Sequence, residues 1–152
     1  MRTRMIGRQV LLALATMIVV ATPVEPCSMV CSAKSVLDHA KAAESIVVGR
    51  VVRIELRRDA ESAGALGVGI ASVKPTQVLK GKEGAVFRVE TGPAESCGYP
   101  MRSGEEHLLF LRPSSSQVGS FAVATCSPSG LTSNQTVAQA LKEVERSLQR
   151  KP

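Results

Sequence analysis

The sequence predicts a mostly β domain: five strands closed into a small barrel, with a short helix at its N-terminal end and a longer one at its C-terminal end. Three observations carry that prediction. Five segments between Ile46 and Cys126 have strand patterning and are separated by turn-forming residues. The apolar spacing is helical only on either side of them. No internal repeat, second core or linker divides the chain.

Ser35 opens the first helix. Ser35-x-x-Asp38 forms a capping box, and Val36, Leu37, Ala40 and Ala43 fall on one face. The period then changes to two. From Ile46 to Leu56 the even positions are apolar except Arg50, and beyond Val51 the odd positions are charged. A half-buried strand is expected there, with Gly49 as a bulge or bend. Arg57 to Gly67 is polar, small and loop-like. Val68 to Leu79 is the second strand, and Pro75 within it points to an edge or a bulge. Lys80 to Gly84 is a turn and Val86 to Thr91 the third strand. Gly92 to Gly104 is a long loop carrying Cys97-Gly98-Tyr99-Pro100. His107 to Leu111 is a continuous apolar run, as in a strand buried on both faces. A Ser-rich turn, Pro113 to Gly119, leads to the fifth strand, Phe121 to Cys126. Thr136 to Arg150 is the last helix, with Val137, Leu141, Val144 and Leu148 on one stripe. Five antiparallel strands fit a Greek-key OB-fold barrel. A β-sandwich is the main alternative, but five strands are few for one.

Residues 1–21 read as a secretory signal. Arg2, Arg4 and Arg8 form a positive n-region, and Val10 to Val20 is an apolar stretch too short to span a bilayer. Small residues at Val19-Val20-Ala21 place the mature start at Thr22, leaving one domain over 22–150. An uncleaved anchor is the alternative. Val24-Glu25-Pro26 is no lipobox, so a lipid on Cys27 is not expected, and no second stretch suits a membrane helix. Losing the three arginines of the signal takes 19 basic residues to 16, against 13 acidic ones, a net +3. That mild excess favours solubility over nucleic-acid binding. About 130 residues suffice for one modest core. The chain has no Trp, one Tyr and three Phe, so that core is aliphatic.

Catalytic signatures are absent from the sequence. His39 reads as a surface residue and His107 as a structural one, since neither sits in an HxxxH or CxxC pattern. There is no G-x-S-x-G elbow and no P-loop. The acids are scattered as on solvated faces. Neither enzyme activity nor a metal or cofactor is expected. Single-strand nucleic-acid binders need exposed aromatic platforms, whereas Phe87, Phe110 and Phe121 lie in strand patterns. Asn134-Gln135-Thr136 is either a glycosylation sequon or a polar helix start.

An even set of thiols in an exported chain reads as a disulfide frame. Cys27-x-x-x-Cys31 lacks the two-residue gap of thioredoxin-like sites. Four cysteines permit three connectivities, including a local Cys27–Cys31 bridge, and spacing does not choose among them.

Several blocks occur in a recognisable order. After the cysteine-containing start come the strand entry Ala43-Glu44-Ser45-Ile46-Val47-Val48-Gly49-Arg50-Val51, and then Val78-Leu79-Lys80-Gly81. The most specific block is Glu95-Ser96-Cys97-Gly98-Tyr99, followed by Arg102-Ser103, Glu105-Glu106-His107-Leu108-Leu109 and Ala124-Thr125-Cys126-Ser127. From Cys27 to about Cys126 the chain resembles the netrin-like module of the tissue inhibitors of metalloproteinases, in its short bacterial, single-domain form. The resemblance implies an OB-fold barrel and the bridges Cys27–Cys97 and Cys31–Cys126. A bridge closing the first of these loops is worth roughly 4 kcal/mol at most. The resemblance also implies a partner-binding ridge made of Cys27, Ser28, Met29, Val30 and Cys31, beside Glu95 and Ser96.

Animal members of that family chelate the catalytic zinc of their target with the free α-amine and carbonyl of an N-terminal cysteine. This sequence has Cys27-x-x-x-Cys31 where the family has Cys-x-Cys. A start at Thr22 leaves five residues ahead of Cys27, so its nitrogen is an amide and a poor zinc ligand. A third animal bridge has no cysteine here. The expectation is a secreted or periplasmic, monomeric binding module whose partner is a protein, a zinc metalloproteinase by resemblance. The alternative is a non-inhibitory netrin-like module for another extracytoplasmic protein or a polyanion. Neither nucleic acid nor, after signal cleavage, a membrane is an expected partner.

Overall fold

The first helix forms where its cap is. In the computed structural model, which describes residues 31, 34–56, 69–92, 94 and 98–150, helix α1 spans Val36–Ala42. The Ser35 hydroxyl accepts from the Asp38 backbone, and the Asp38 carboxylate accepts in return from the Ser35 backbone. Those bonds to Ser35 hold the Asp38 carboxyl below its usual range. At the other end of α1, the Lys80 ammonium donates to the carbonyls of Ala40, Lys41 and Ala43 at 2.9, 2.9 and 2.5 Å. A cation among the unpaired carbonyls of a helix end satisfies them and opposes the helix dipole.

The strands follow as β1 (Ser45–Leu56), β2 (Gly69–Lys80), β3 (Phe87–Thr91), β4 (Glu106–Pro113), β5 (Phe121–Val123) and β6 (Gly130–Leu131), and helix α2 (Gln135–Gln149) closes the fold. Hydrogen bonding runs β1-β2-β3-β5-β4, and β4 returns to β1, so five strands close into an OB-fold-like barrel. One expectation needs correction: the barrel is mixed rather than wholly antiparallel, because β3 pairs with β5 in parallel at Val89 and Phe121. Parity requires this. Directions that alternate around a ring return to register only when the number of strands is even, so a ring of five must contain a parallel pair.

Strand β5 is also shorter than the segment Phe121 to Cys126 expected from sequence. The chain leaves the ladder after Val123, turns through Cys126 and rejoins the same edge of β4 as β6, where His107 faces Leu131. In the gap between β5 and β6, the Ser129 hydroxyl accepts the Phe110 N–H at 2.9 Å. A side chain thus replaces a strand partner for a fully buried residue.

Strands β1 and β4 are buried on both faces where they pair, which is why their sequences run apolar without alternation. Val47, Val51, Leu109 and Leu111 point into the barrel with Val73, Phe87 and Val89. Ile46, Val48, Leu108 and Phe110 form an outer layer under Val137, Ala140 and Val144 of α2. Leu148, on the same predicted stripe, is 41% exposed because it lies past that layer. Beyond Val51 the register shift between Val51 and Arg53 moves the inward face to the even positions, where Ile54 pairs with Ala71 and packs on the barrel core, while Val52 at the shift is half-exposed and Leu56 at the strand end is 66% exposed. Gly49 lies at another shift, facing Pro75. A Cβ on Gly49 would sit 2.6 Å from Val73 Cγ1 and 2.9 Å from the Lys74 carbonyl oxygen. Strand β3 covers only Gly69–Val73 of β2, so Pro75 lies where β2 is an edge on that side. The signal segment 1–21 and the loop Arg57 to Gly67 fall outside the described residues.

Candidate partner-binding surface

The anchor of the N-terminal segment is a disulfide. Cys31 is bonded to Cys126 across a Cα–Cα distance of 5.5 Å. Both residues are exposed, and Cys126 holds a left-handed φ of +59° in the turn between β5 and β6. Of the ridge named by resemblance, Cys31 is placed. Cys27, Ser28, Met29, Val30, Glu95 and Ser96 lie outside the described residues, as does a Cys27–Cys97 pairing.

The described residues do define the stem of the loop that carries Glu95 to Cys97. The Gly92 N–H donates to the Tyr99 carbonyl at 3.2 Å, and the Thr91 hydroxyl donates to the same oxygen at 2.9 Å. Gly98 lies against Gly92 so closely that a Cβ would fall 2.5 Å from the Gly92 carbonyl carbon and 2.7 Å from its Cα. Backbone touches backbone there, which is why the block reads Cys-Gly.

Below the stem lies a partly buried polar chain centred on His107. The Tyr99 hydroxyl meets His107 Nδ1 at 2.9 Å, and His107 Nε2 meets the Glu105 carboxylate at 3.1 Å. A carboxylate only accepts, so Nε2 donates to Glu105, and the tautomer with its proton on Nε2 leaves Nδ1 to accept from the phenol. The Arg102 N–H donates to the same Glu105 oxygen at 2.9 Å, securing the turn before β4. Burial pushes the Tyr99 phenol above its ordinary value, and the Glu105 charge adds to the shift. His107 is only 2% exposed, and both its ring nitrogens are bonded.

The bridge and the stem border one groove. It has a volume of about 460 Å³ and is lined by Glu90 to Gly92, Gly98, Tyr99, Arg112, Ala122 to Ser127 and Ser129. It opens because β3 and β5 pair only at Val89 and Phe121 and then diverge. Glu90 on one wall accepts from the Ser114 and Ser116 hydroxyls of the β4–β5 turn. Arg112 of β4 also lines it.

Three residues that organise the fold around this region show no sign of their role in the sequence. In the sequence Lys80 stands in a turn and in the block Val78-Leu79-Lys80-Gly81, yet in the structure it also caps the C-terminal end of α1. Ser129 and Glu90 carried no signal beyond being polar. The Asn134 of the sequon caps α2, its Oδ1 accepting the Thr136 N–H at 2.9 Å. Among the described residues, no three His, Cys, Asp or Glu side chains converge as metal ligands would, and no helix is long and apolar enough to cross a membrane.

By fold and covalent frame the chain belongs to the class of disulfide-bonded OB-fold-like barrels. No protein-family model and no curated protein matches the sequence.

Proposed function

We propose that this protein is an exported binding module that engages a zinc metalloproteinase through a ridge of Cys27 to Cys31 beside Glu95 and Ser96. The observation that supports it best is the convergence of two anchors on one groove: the Cys31–Cys126 bridge and the Gly92–Gly98 stem. Two segments far apart in sequence are thereby held next to each other at their bases. Fixing those two bases, Cys31 and Gly98, before binding lowers the entropy cost of association. The module acts by occupying the protease cleft, not by chelating zinc through the Cys27 nitrogen.

The wider Cys27–Cys31 spacing and a start at Thr22 favour a second reading, a non-inhibitory module for another extracytoplasmic protein or a polyanion. Titration of the exported protein into zinc endopeptidases, read with a fluorogenic peptide, separates the two. The first reading predicts saturable inhibition that Ser28→Arg weakens by about tenfold or more, or about 1.4 kcal/mol, with the circular dichroism unchanged. Failure to bind any zinc endopeptidase refutes it. N-terminal sequencing tests the mechanism directly, since a start at Cys27 would restore chelation.

A further inference from the structure

We infer that the Cys31–Cys126 bridge is a reducible tether: a dithiol opens it on the folded protein and unlinks Cys31 from the β5–β6 turn, while the barrel and α1 stay in place. The inference does not depend on which partner the surface binds.

Four observations carry it. Both half-cystines are exposed, so an attacking thiolate reaches them without unfolding. Neither belongs to the two buried clusters that hold the barrel and α2 together. Cys126 occupies left-handed backbone at φ +59°, a conformation that L-residues rarely adopt, in a turn flanked by strands of only three and two residues. Opening the bridge lets that turn relax at little cost to the ladder. Finally, α1 has its own attachment. Lys80 holds three carbonyls at its C-terminal end, and α1 packs beside α2. Helix α1 therefore stays docked when the bridge opens.

The exchange balances. One thiolate of the dithiol attacks a bridge sulfur, forming a mixed disulfide and expelling the other cysteine as a thiolate. The second thiolate of the dithiol attacks the mixed disulfide and expels the remaining cysteine. Two electrons pass from the dithiol, which ends as a disulfide, and Cys31 and Cys126 each end with a proton.

The test uses the whole exported protein in excess dithiothreitol without denaturant. Thiols are alkylated and mapped by peptide mass, with far-ultraviolet circular dichroism and amide exchange followed in parallel. Cys31 and Cys126 are expected to be captured while the spectrum is unchanged and α1 amides keep their protection within about twofold. In Lys80→Met, opening the bridge should lower α1 protection by about tenfold or more. The Cys31→Ser/Cys126→Ser variant should fold with the native spectrum. Capture of the two thiols only after guanidinium unfolding overturns the inference. So does loss of the barrel spectrum, or of α1 protection in the wild type, as the bridge opens.

Discussion

Replacing Tyr99 with Phe tests the polar chain beneath the loop stem, which centres on the buried His107. The substitution keeps the ring, and it keeps the Tyr99 carbonyl that holds Thr91 and Gly92. It removes only the hydroxyl that donates to His107 Nδ1 at 2.9 Å. His107 is 2% exposed, and its other nitrogen is committed to Glu105. Nδ1 is then a buried acceptor without a donor, which costs about 1–3 kcal/mol. For a domain of this size each kcal/mol lowers Tm by about 4 °C, so Tyr99→Phe should melt about 4–12 °C below the wild type. Thermal unfolding followed by circular dichroism measures the change. Denaturant midpoints should shift with m unchanged, since the same surface is exposed on unfolding. A variant with the wild-type midpoint would show that the phenol does not satisfy His107, and would remove the chain from the account of the stem.

Three further outcomes follow from the same structure. Tyr99 is the only tyrosine, and its pKa is raised in the folded state from an ordinary value of 10.0. Its contribution to stability is therefore complete below pH 10 and declines as pH rises beyond it. Tyrosinate absorbance should appear together with loss of the β-sheet spectrum, and ionisation near pH 10 in a still-native protein would contradict the burial argument. Gly49→Ala pushes a methyl into Val73 and the Lys74 carbonyl, and should cost about 1–3 kcal/mol in chemical denaturation. Ser129→Ala leaves the Phe110 N–H unpaired inside the fold, at about 1–3 kcal/mol, and should selectively deprotect that amide in hydrogen exchange.

The elements were legible because their signals are local. A capping box starts α1, charged odd positions beyond Val51 mark the second half of β1, and the uninterrupted run His107 to Leu111 belongs to a strand with Leu109 and Leu111 on one core and Leu108 and Phe110 on another. Strand count and the apolar stripe of α2 were enough to reach an OB-fold barrel. Closure was decided in three dimensions. The parallel contact of β3 with β5, the early exit of the chain after Val123 and the return as β6 all depend on how the strands meet around the ring, which no local pattern encodes. The bulge that turns Val52 outward is likewise set by the register against β2.

The candidate surface divides in the same way. Its residue types are legible in the sequence: cysteines at both ends, a Cys-Gly block, and a histidine and a tyrosine eight positions apart. Their meaning depends on neighbours distant in the chain. Lys80 becomes a helix cap only because β2 ends beside α1, and Ser129 becomes a ladder partner only because β5 stops short. Gly98 must be glycine because the Gly92 backbone returns to meet it. Composition and periodicity by themselves determined which segments would be strands and helices, since burying an apolar face is a property of a segment. Only the tertiary structure decided which polar atoms satisfy one another, because each such bond needs two groups that the sequence does not place side by side.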